Sequence, residues 1–303
     1  PLRSFLKWNS YFKSMNGFLI LDKPEGMSSA NCVYKLRSKL GIKRIGHCGT
    51  LDPLATGLLP ICIGEATKFS NYASNLDKVY EVGMLLGIET DTGDITGKVI
   101  SEKKFSGFKN NFDQSLYNLL GHQNQIPPMY SAIKMNGNPL YYWARKGVSL
   151  YREPRKIEIK GIELLNKAKN IANLKVFCSK GTYIRSLVET LGRNLGCMAT
   201  MTSLRRLKVG DIHLDEETCD FNDTYESISN KILPCDAMLG HIDKIRINLE
   251  DAKKVKNGLS IDYNAPLKNK RLVRIYTETE LFIGIGEVDE NNKLLPRRLL
   301  STN

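Results

Sequence analysis

The chain has 303 residues, of which 42% are hydrophobic and 25% charged, so it is not a disordered protein and is expected to form one large or two moderate domains. Lys and Arg outnumber Asp and Glu by 44 to 32, and the resulting net charge of +12 favours a polyanionic partner, nucleic acid before an anionic membrane. The seven cysteines are odd in number and never spaced C-x-x-C, which argues against a disulfide framework and a cysteine zinc site. No run approaches the roughly 20 apolar residues of a membrane span, so no membrane association is expected.

Residues 1–14 mix basic and aromatic side chains and lack the apolar core of a signal peptide. We expect this segment to be a disordered N-terminal extension, with a targeting remnant as the alternative. A cytoplasmic protein is the expectation, and an organellar one follows if the extension is such a remnant.

The first half of the chain is predicted to form alternating strands and short helices. An apolar strand is predicted at residues 18–21, followed by a helix that Ser28 or Ser29 caps and Gly41 ends. The next predicted elements are a strand in LLPICIG, a helix in EATKFSNYAS, a strand in KVYEVGMLLGIET, a loop in DTGDITGK and a helix in DQSLYNLLG.

The middle of the chain contains a hairpin signal at Asn136-Gly137 and a helix predicted to begin with Pro139. Two alternating strands follow in RKIEIKGIELL and IANLKVFCSKG, and another strand is predicted in LRRLKVGDI. Between them, TYIRSLVETLGRNLG is an amphipathic helix whose apolar face consists of Ile184, Leu187, Val188, Leu191 and Leu195. These elements predict an α+β fold in which helices flank a large mixed, mainly antiparallel sheet.

The pattern changes near His241, where short strands separated by Asn and Gly turns begin. We therefore predict a catalytic domain over residues 15–240 and a small β-barrel-like domain over residues 241–303. One short helix, EDAKKVKNG, precedes most of these strands.

Several familiar site patterns are absent or incomplete. There is no P-loop, the four histidines never fall at metal-ligand spacing, and no metal site is expected. A serine hydrolase has only GMSSA and one S-x-x-K to recommend it, and a capping serine explains the first better.

Asp52 is the unusual carboxylate of the chain, because it stands in the apolar, glycine- and proline-framed stretch GHCGTLDPLATGLLPICIGEATKF. Gly46 and Gly49 permit backbone conformations closed to other residues, and Pro53 stiffens the chain after the Asp. A carboxylate held in an apolar place needs a cation or hydrogen bonds, and such groups are candidates for functional sites. An ordinary turn is the alternative that these residues alone leave open.

The same stretch resembles the catalytic motif of the TruB family, the tRNA pseudouridine synthases that act on the T-loop uridine at tRNA position 55. Five further segments resemble family motifs in the same order up to about residue 210: NGFLILDKPEGMSS, DKVYEVGMLLGIETDTGDITG, QIPPMYSAIKMNGNPLYYWARKG, CSKGTYIRSLVETLG and LRRLKVG. The C-terminal strands resemble the small PUA-type RNA-binding domain of bacterial members, through KNGLSI, FIGIGEV and PRRL. Cys48 departs from the pattern of the family, which usually has Thr or another small residue there.

The resemblance implies an isomerase that needs no cofactor, because pseudouridine formation breaks the bond from ribose C1′ to uracil N1 and rejoins the base through C5. It implies that Asp52 is the essential carboxylate, as nucleophile or as base at the ribose, and that Arg185 pairs with it. Tyr80 would stack on the target base and take part in the final proton removal, and Leu204 would line the pocket. His47 would occupy the space near the nucleotide that is flipped out of the T-loop.

Four further basic residues are predicted to contact the phosphates of the RNA, and a solvated surface charge is the alternative for each. They are Lys23, Lys68, Arg205 and Arg206, joined by Arg271 and Arg274 in the C-terminal domain. The partner implied is the T-arm of tRNA, bound by a monomer. Two rival readings are a guide-RNA-dependent relative and an RNA-binding module that has lost catalysis.

Overall fold

The computed structural model describes residues 15–108, 111–215, 218–263 and 271–301. The extension predicted at residues 1–14 lies outside these ranges. Within them, the chain forms two main sheets with short helices packed on them, which confirms the predicted α+β class with a mixed, mainly antiparallel sheet.

The larger sheet has nine strands among the described residues, in the order β1-β3-β12-β4-β11-β10-β7, with β2 paired to β3 and β13 to β12. Its strands are β1 Gly17–Lys23, β2 Ile45–His47, β3 Thr56–Ile63, β4 Lys78–Leu86, β7 Gly121–Gln125, β10 Arg155–Ala168, β11 Ile171–Cys178, β12 Ala199–Val209 and β13 Ile212–His213. All pairs are antiparallel except β3 with β12, which run parallel and meet at Thr56–Arg205 and Gly57–Arg206.

Two small hairpins extend from this sheet. They consist of β5 Ile88–Thr90 with β6 Val99–Glu102, and of β8 Lys134–Met135 with β9 Asn138–Pro139. The second has the predicted Asn136-Gly137 turn, and both turn residues have positive φ, 52° and 79°.

The helices of the described residues are short. They are α1 Ser29–Leu40, a 3₁₀ helix Gly64–Phe69 that runs into α2 Ser70–Ser74, α3 Asn111–Tyr117, α4 Leu140–Arg145, α5 Ile184–Asn194, α6 Tyr225–Asn230 and α7 Leu249–Lys256. In α1, Ser28 is the N-cap, since its side chain accepts a hydrogen bond from Asn31 N, and Gly41 ends the helix in the left-handed region.

The α5 helix buries the face that the sequence predicts. Ile184, Leu187, Val188 and Leu191 lie in the core with the inner face of the larger sheet. This packing places the start of α5, which carries Arg185, next to Asp52 in the loop between β2 and β3.

The smaller sheet has the order β14-β16-β17-β18-β15. Its strands are β14 Asp243–Ile247, β15 Ile261–Asp262, β16 Arg271–Thr277, β17 Phe282–Val288 and β18 Lys293–Leu299. Side chains of this sheet, among them Phe282 and Ile285, share a hydrophobic cluster with Phe18 and Phe69 of the larger unit. The sheet has the curled form expected of a PUA-type domain, whereas the domain boundary near His241 stays a prediction.

Candidate active site

The loop that carries Asp52 joins β2 to β3, and side chains of Ser29 and Lys23 hold its backbone by hydrogen bonds. The Ser29 hydroxyl accepts a hydrogen bond from Leu51 N at 2.9 Å and donates to Leu51 O at 3.0 Å. Lys23 Nζ donates to Pro53 O at 3.2 Å. These contacts flank Asp52 on both sides in the sequence, so the backbone that carries its carboxylate has little freedom to move.

Arg206 of β12 fastens the same loop from the neighbouring strand. Its Nε donates to Leu58 O at 2.7 Å and its Nη2 to Gly49 O at 3.3 Å. A Cβ at Gly57 would lie 2.3 Å from Arg206 O, and Gly57 has a φ of +96°. Only glycine therefore allows β3 and β12 to approach closely enough for Arg206 to reach the loop.

Asp52 forms an ion pair with Arg185, at the first turn of α5. Arg185 Nε lies 2.9 Å from Asp52 Oδ2, while its Nη1 and Nη2 donate to Thr92 O and Tyr130 O, each at 2.7 Å. The Arg185 side chain is 5% exposed and that of Asp52 33%. The guanidinium is thus held by three partners, and the carboxylate keeps one side open to an incoming ligand.

The pKa of Asp52 is raised above its usual 3.8. Burial is the largest cause, since it disfavours the charged form, and the positive charge and hydrogen bond of Arg185 act against it. The arrangement suits a carboxylate that must be ionised near neutral pH and yet be poorly solvated.

A cavity of about 320 Å³ opens above Asp52 and is lined by five of the predicted site residues: Asp52, Tyr80, Arg185, Leu204 and Arg206. They come from the β2–β3 loop, β4, α5 and β12, which the fold brings to one place. Tyr80 and Leu204 are each 7% exposed. Burial raises the pKa of Tyr80, and the adjacent Arg206 opposes that shift. The catalytic and stacking roles of these residues stay predictions.

The other four predicted residues lie outside the lining of this cavity: His47, Lys68, Arg205 and Lys23. His47 ends β2, and burial, with Arg206 nearby, lowers its pKa. Lys68 Nζ donates to Glu65, Leu299 O and Ser301 Oγ, so all three of its protons have partners near the described C-terminal end. Their substrate contacts stay predictions.

Arg205 projects from the face of β12 opposite to Arg206. Its guanidinium contacts both carboxylate oxygens of Asp22, at 2.7 and 3.1 Å, and is 41% exposed. A phosphate contact by Arg205 stays a prediction, since this side chain reaches solvent.

Lys23 and Arg206, two of the residues predicted to contact phosphates, are buried in the structure. Lys23 is 0% exposed and donates to the carbonyls of Pro24 and Pro53, and Arg206 is 1% exposed. Both side chains hold the Asp52 loop through hydrogen bonds to its carbonyls, and their phosphate contacts stay predictions. Hydropathy patterns do not reveal such burial, because a basic residue next to a turn usually lies at the surface.

The cavity also contains residues that the sequence analysis did not select. Lys78, Ser131 and Tyr183 line it, and burial raises the pKa of Tyr183. A signal for Lys78 was present, because it precedes Tyr80 by two positions on a strand, and alternate residues of a strand share a face.

Two kinds of feature are absent from the described residues. No helix in these ranges is long and apolar enough to cross a membrane. In the same part of the chain, no group of three or more His, Cys, Asp and Glu side chains is arranged to hold a metal ion.

Comparisons with known proteins give consistent matches along the chain. A family model described as TruB family pseudouridylate synthase (N terminal domain) matches residues 37–184. Two others match residues 185–240, as tRNA pseudouridylate synthase B C-terminal domain, and residues 244–300, as Pseudouridine synthase II TruB, C-terminal.

Among curated proteins, tRNA pseudouridine synthase B of Aromatoleum aromaticum is 42% identical over 291 residues, covering 95% of this chain and 94% of that one. The protein of the same name from Dechloromonas aromatica is 41% identical and covers 97% and 99%. Among solved structures, the crystal structure of a Cbf5-Nop10-Gar1 complex has a chain with a TM-score of 0.75 at 24% identity, covering 96% of this chain and 86% of that one. The last similarity concerns the fold alone.

Proposed function

Because the chain belongs to the TruB family of pseudouridine synthases, we propose that it converts the T-loop uridine at position 55 of tRNA to pseudouridine without a guide RNA. It is an isomerase, a tRNA pseudouridine synthase. Our proposal goes beyond this activity in three respects: the position of the target uridine, the flipping of its base and the essential role of Asp52.

The observation that carries the proposal is the Asp52–Arg185 ion pair at the base of a cavity that Tyr80 and Leu204 also line. A buried arginine with three partners keeps the carboxylate ionised and aimed, and a tyrosine ring beside an apolar side chain offers a flat surface to a pyrimidine. The cavity is within the size range of small-ligand sites, so it admits one nucleotide and not a duplex. A uridine inside a folded T-loop must therefore leave its stack to enter, which costs a few kcal/mol.

The chemistry follows from this arrangement. The bond from C1′ to N1 breaks with its electron pair moving to the uracil, and the Asp52 carboxylate assists at the ribose as nucleophile or as base. The detached uracil turns while the walls of the cavity hold it, and C5 bonds to C1′. Loss of the proton from C5 and protonation of N1 complete the isomerisation, and we assign Tyr80 a part in the removal of the C5 proton. Atoms are conserved throughout, and no redox change occurs.

The charge of the whole chain supports tRNA as the partner. The net charge of +12 attracts the phosphate backbone, and binding should weaken steeply with salt. A guide-RNA-dependent enzyme is the second candidate, since the Cbf5 chain shares the fold. The relatives of about 40% identity bear the name tRNA pseudouridine synthase B, and this favours the first candidate.

The test uses the purified chain and an unmodified tRNA transcript tritiated at uracil C5, with no guide RNA. We expect tritium release to water from the wild type, none from Asp52→Asn, and salt-sensitive tRNA binding by both. A transcript with cytidine at position 55 should release none of the label from the T-loop. Binding without any release by the wild type would contradict a stand-alone enzyme, and restoration of release by a guide RNA would establish the second candidate.

A further inference from the structure

The cavity above Asp52 is lined by more positive than negative charge. Asp52 and Arg185 neutralise each other as an ion pair, and the remaining charged residues of the described lining are Lys78 and Arg206. Tyr80 is neutral, since burial raises its pKa. Two cations in a poorly solvated space are unfavourable unless an anion enters it.

Lys78 is placed to meet such an anion. It is the first residue of β4 and lies on the same strand face as Tyr80, two positions further on. Its side chain is 7% exposed, and its Nζ donates to Ser74 O at 2.7 Å and to Leu76 O. An ammonium has three protons, and no third acceptor is found for this one among the described residues.

Arg206 has a different task. Its Nε and Nη2 are already held by the carbonyls of Leu58 and Gly49. It contributes positive charge without being free to follow a moving ligand. Together with burial, which is the larger effect, this neighbouring charge lowers the pKa of Lys78 to about 8.

We propose that Lys78 is a further catalytic residue, whose remaining Nζ–H donates a hydrogen bond to a uracil oxygen as the C1′–N1 bond breaks. The electron pair of that bond moves onto the ring, so the departing uracil is an anion, and it loses this charge when C5 bonds to C1′. Lys78 stays protonated and transfers no proton. The inference rests on the proposed function and names the group that stabilises the leaving base, whichever role Asp52 has.

The phosphate next to the flipped uridine is the other anion that could meet this lysine. Phosphates are strongly hydrated and stay with the backbone at the mouth of the cavity, whereas Lys78 lies within its wall. A donor that acts on the developing anion affects the rate more than the affinity. Loss of a phosphate contact would instead weaken binding and reduce its salt dependence.

The first experiment measures single-turnover rates and tRNA dissociation constants for Lys78→Met and Lys78→Arg. Lys175→Met is the matched control, because Lys175 is the register partner of Glu81 across β11 and β4, and Glu81 lies on the face of β4 opposite to Lys78. We expect a rate about 100-fold lower for Lys78→Met, as for the loss of one preorganised donor, with an unchanged dissociation constant. Lys78→Arg should regain much of the rate, and the control should match the wild type.

A pH profile separates this role from a structural one. The wild-type rate should fall as the pH rises through about 8, because the ammonium loses its proton there, and this limb should be absent in Lys78→Arg. The charged and titratable groups around Lys78 are Arg206, Cys178, Cys48, Asp77 and Lys180, with Tyr80 on the same strand face and Asp52 and Arg185 in the cavity lining. Cys178 has a pKa of about 11 and Tyr80 one raised above 10, so neither accounts for a limb at 8.

Three results would overturn the inference: a Lys78→Met rate within threefold of the wild type, an effect confined to the dissociation constant, or a basic limb that persists in Lys78→Arg. If Lys78→Met does not fold, the wild-type and Lys78→Arg profiles still decide. Absence of tritium release from the wild type would refute the proposed function instead, so the two failures are distinguishable.

Discussion

The planar guanidinium of Arg185 makes three contacts. Replacement of Arg185 by lysine keeps the positive charge but removes this planar group and the contacts that depend on it. Nε meets Asp52 at 2.9 Å, and the two terminal nitrogens meet the carbonyls of Thr92 and Tyr130. A lysine ammonium is a single point on a flexible chain and cannot reach all three acceptors. One hydrogen bond to a charged group contributes about 1.5–3 kcal/mol, so loss of the Asp52 contact should slow turnover about 10- to 150-fold.

The pH dependence adds a second measure of the same contact. In the wild type, burial raises the pKa of Asp52 and Arg185 opposes that rise. Weakening the contact should raise the pKa further, so the acidic limb of the single-turnover rate should move to higher pH in Arg185→Lys. The assay is tritium release from saturating enzyme between pH 4 and 8, with melting temperatures recorded to exclude loss of folding.

The control is Arg193→Lys, because Arg193 lies on the same helix and is 55% exposed, with a distant contact to Glu89 at 4.0 Å and a hydrogen bond to Thr190 Oγ1 at 3.3 Å. It should behave as the wild type. An Arg185→Lys enzyme with a rate within threefold of the wild type and an unmoved acidic limb would refute the view that this guanidinium sets the state of Asp52.

Three further outcomes can be measured. The acidic limb of wild-type turnover should lie above pH 3.8, because the pKa of Asp52 is raised and the ionised carboxylate is the active form. An acidic limb below pH 3.8 in the tritium-release assay would contradict this. Glu65→Gln should lower the free energy of unfolding by about 3 kcal/mol at pH 7. Burial alone would raise the pKa of Glu65, but hydrogen bonds, that of Lys68 foremost, hold it at about 2. The stabilisation is therefore present above pH 4.5 and is lost as the pH falls towards 2. Urea titrations at several pH values should show that the difference in unfolding free energy between wild type and Glu65→Gln becomes smaller as the pH is lowered. Gly57→Ala should cost about 3 kcal/mol or more, since its Cβ would meet a backbone carbonyl of β12, whereas Gly26→Ala, with positive φ and nothing within 4 Å, should cost about 1–2 kcal/mol in the same titration.

The sequence alone predicts many of the helices, strands and turns, and the unusual setting of Asp52, because these features depend on residues close together in the chain. The apolar face of α5, the Ser28 cap of α1 and the Asn136-Gly137 turn follow from spacing and backbone preference over a few residues. The frame of glycine and proline singled out Asp52 in the same way. The resemblance then joined these local features to one family and supplied the partners of Asp52.

Tertiary structure decided which charges are buried and what they hold. Lys23 and Arg206 look like surface cations in the sequence, yet both are fully enclosed and fasten the Asp52 loop, because β12 pairs in parallel with β3 at Gly57. The cavity position of Lys78 likewise depends on which face of β4 turns towards α5. A local pattern fixes the period of a strand or helix, but strand pairing between distant parts of the chain determines the solvation of each charge, and solvation determines its chemistry.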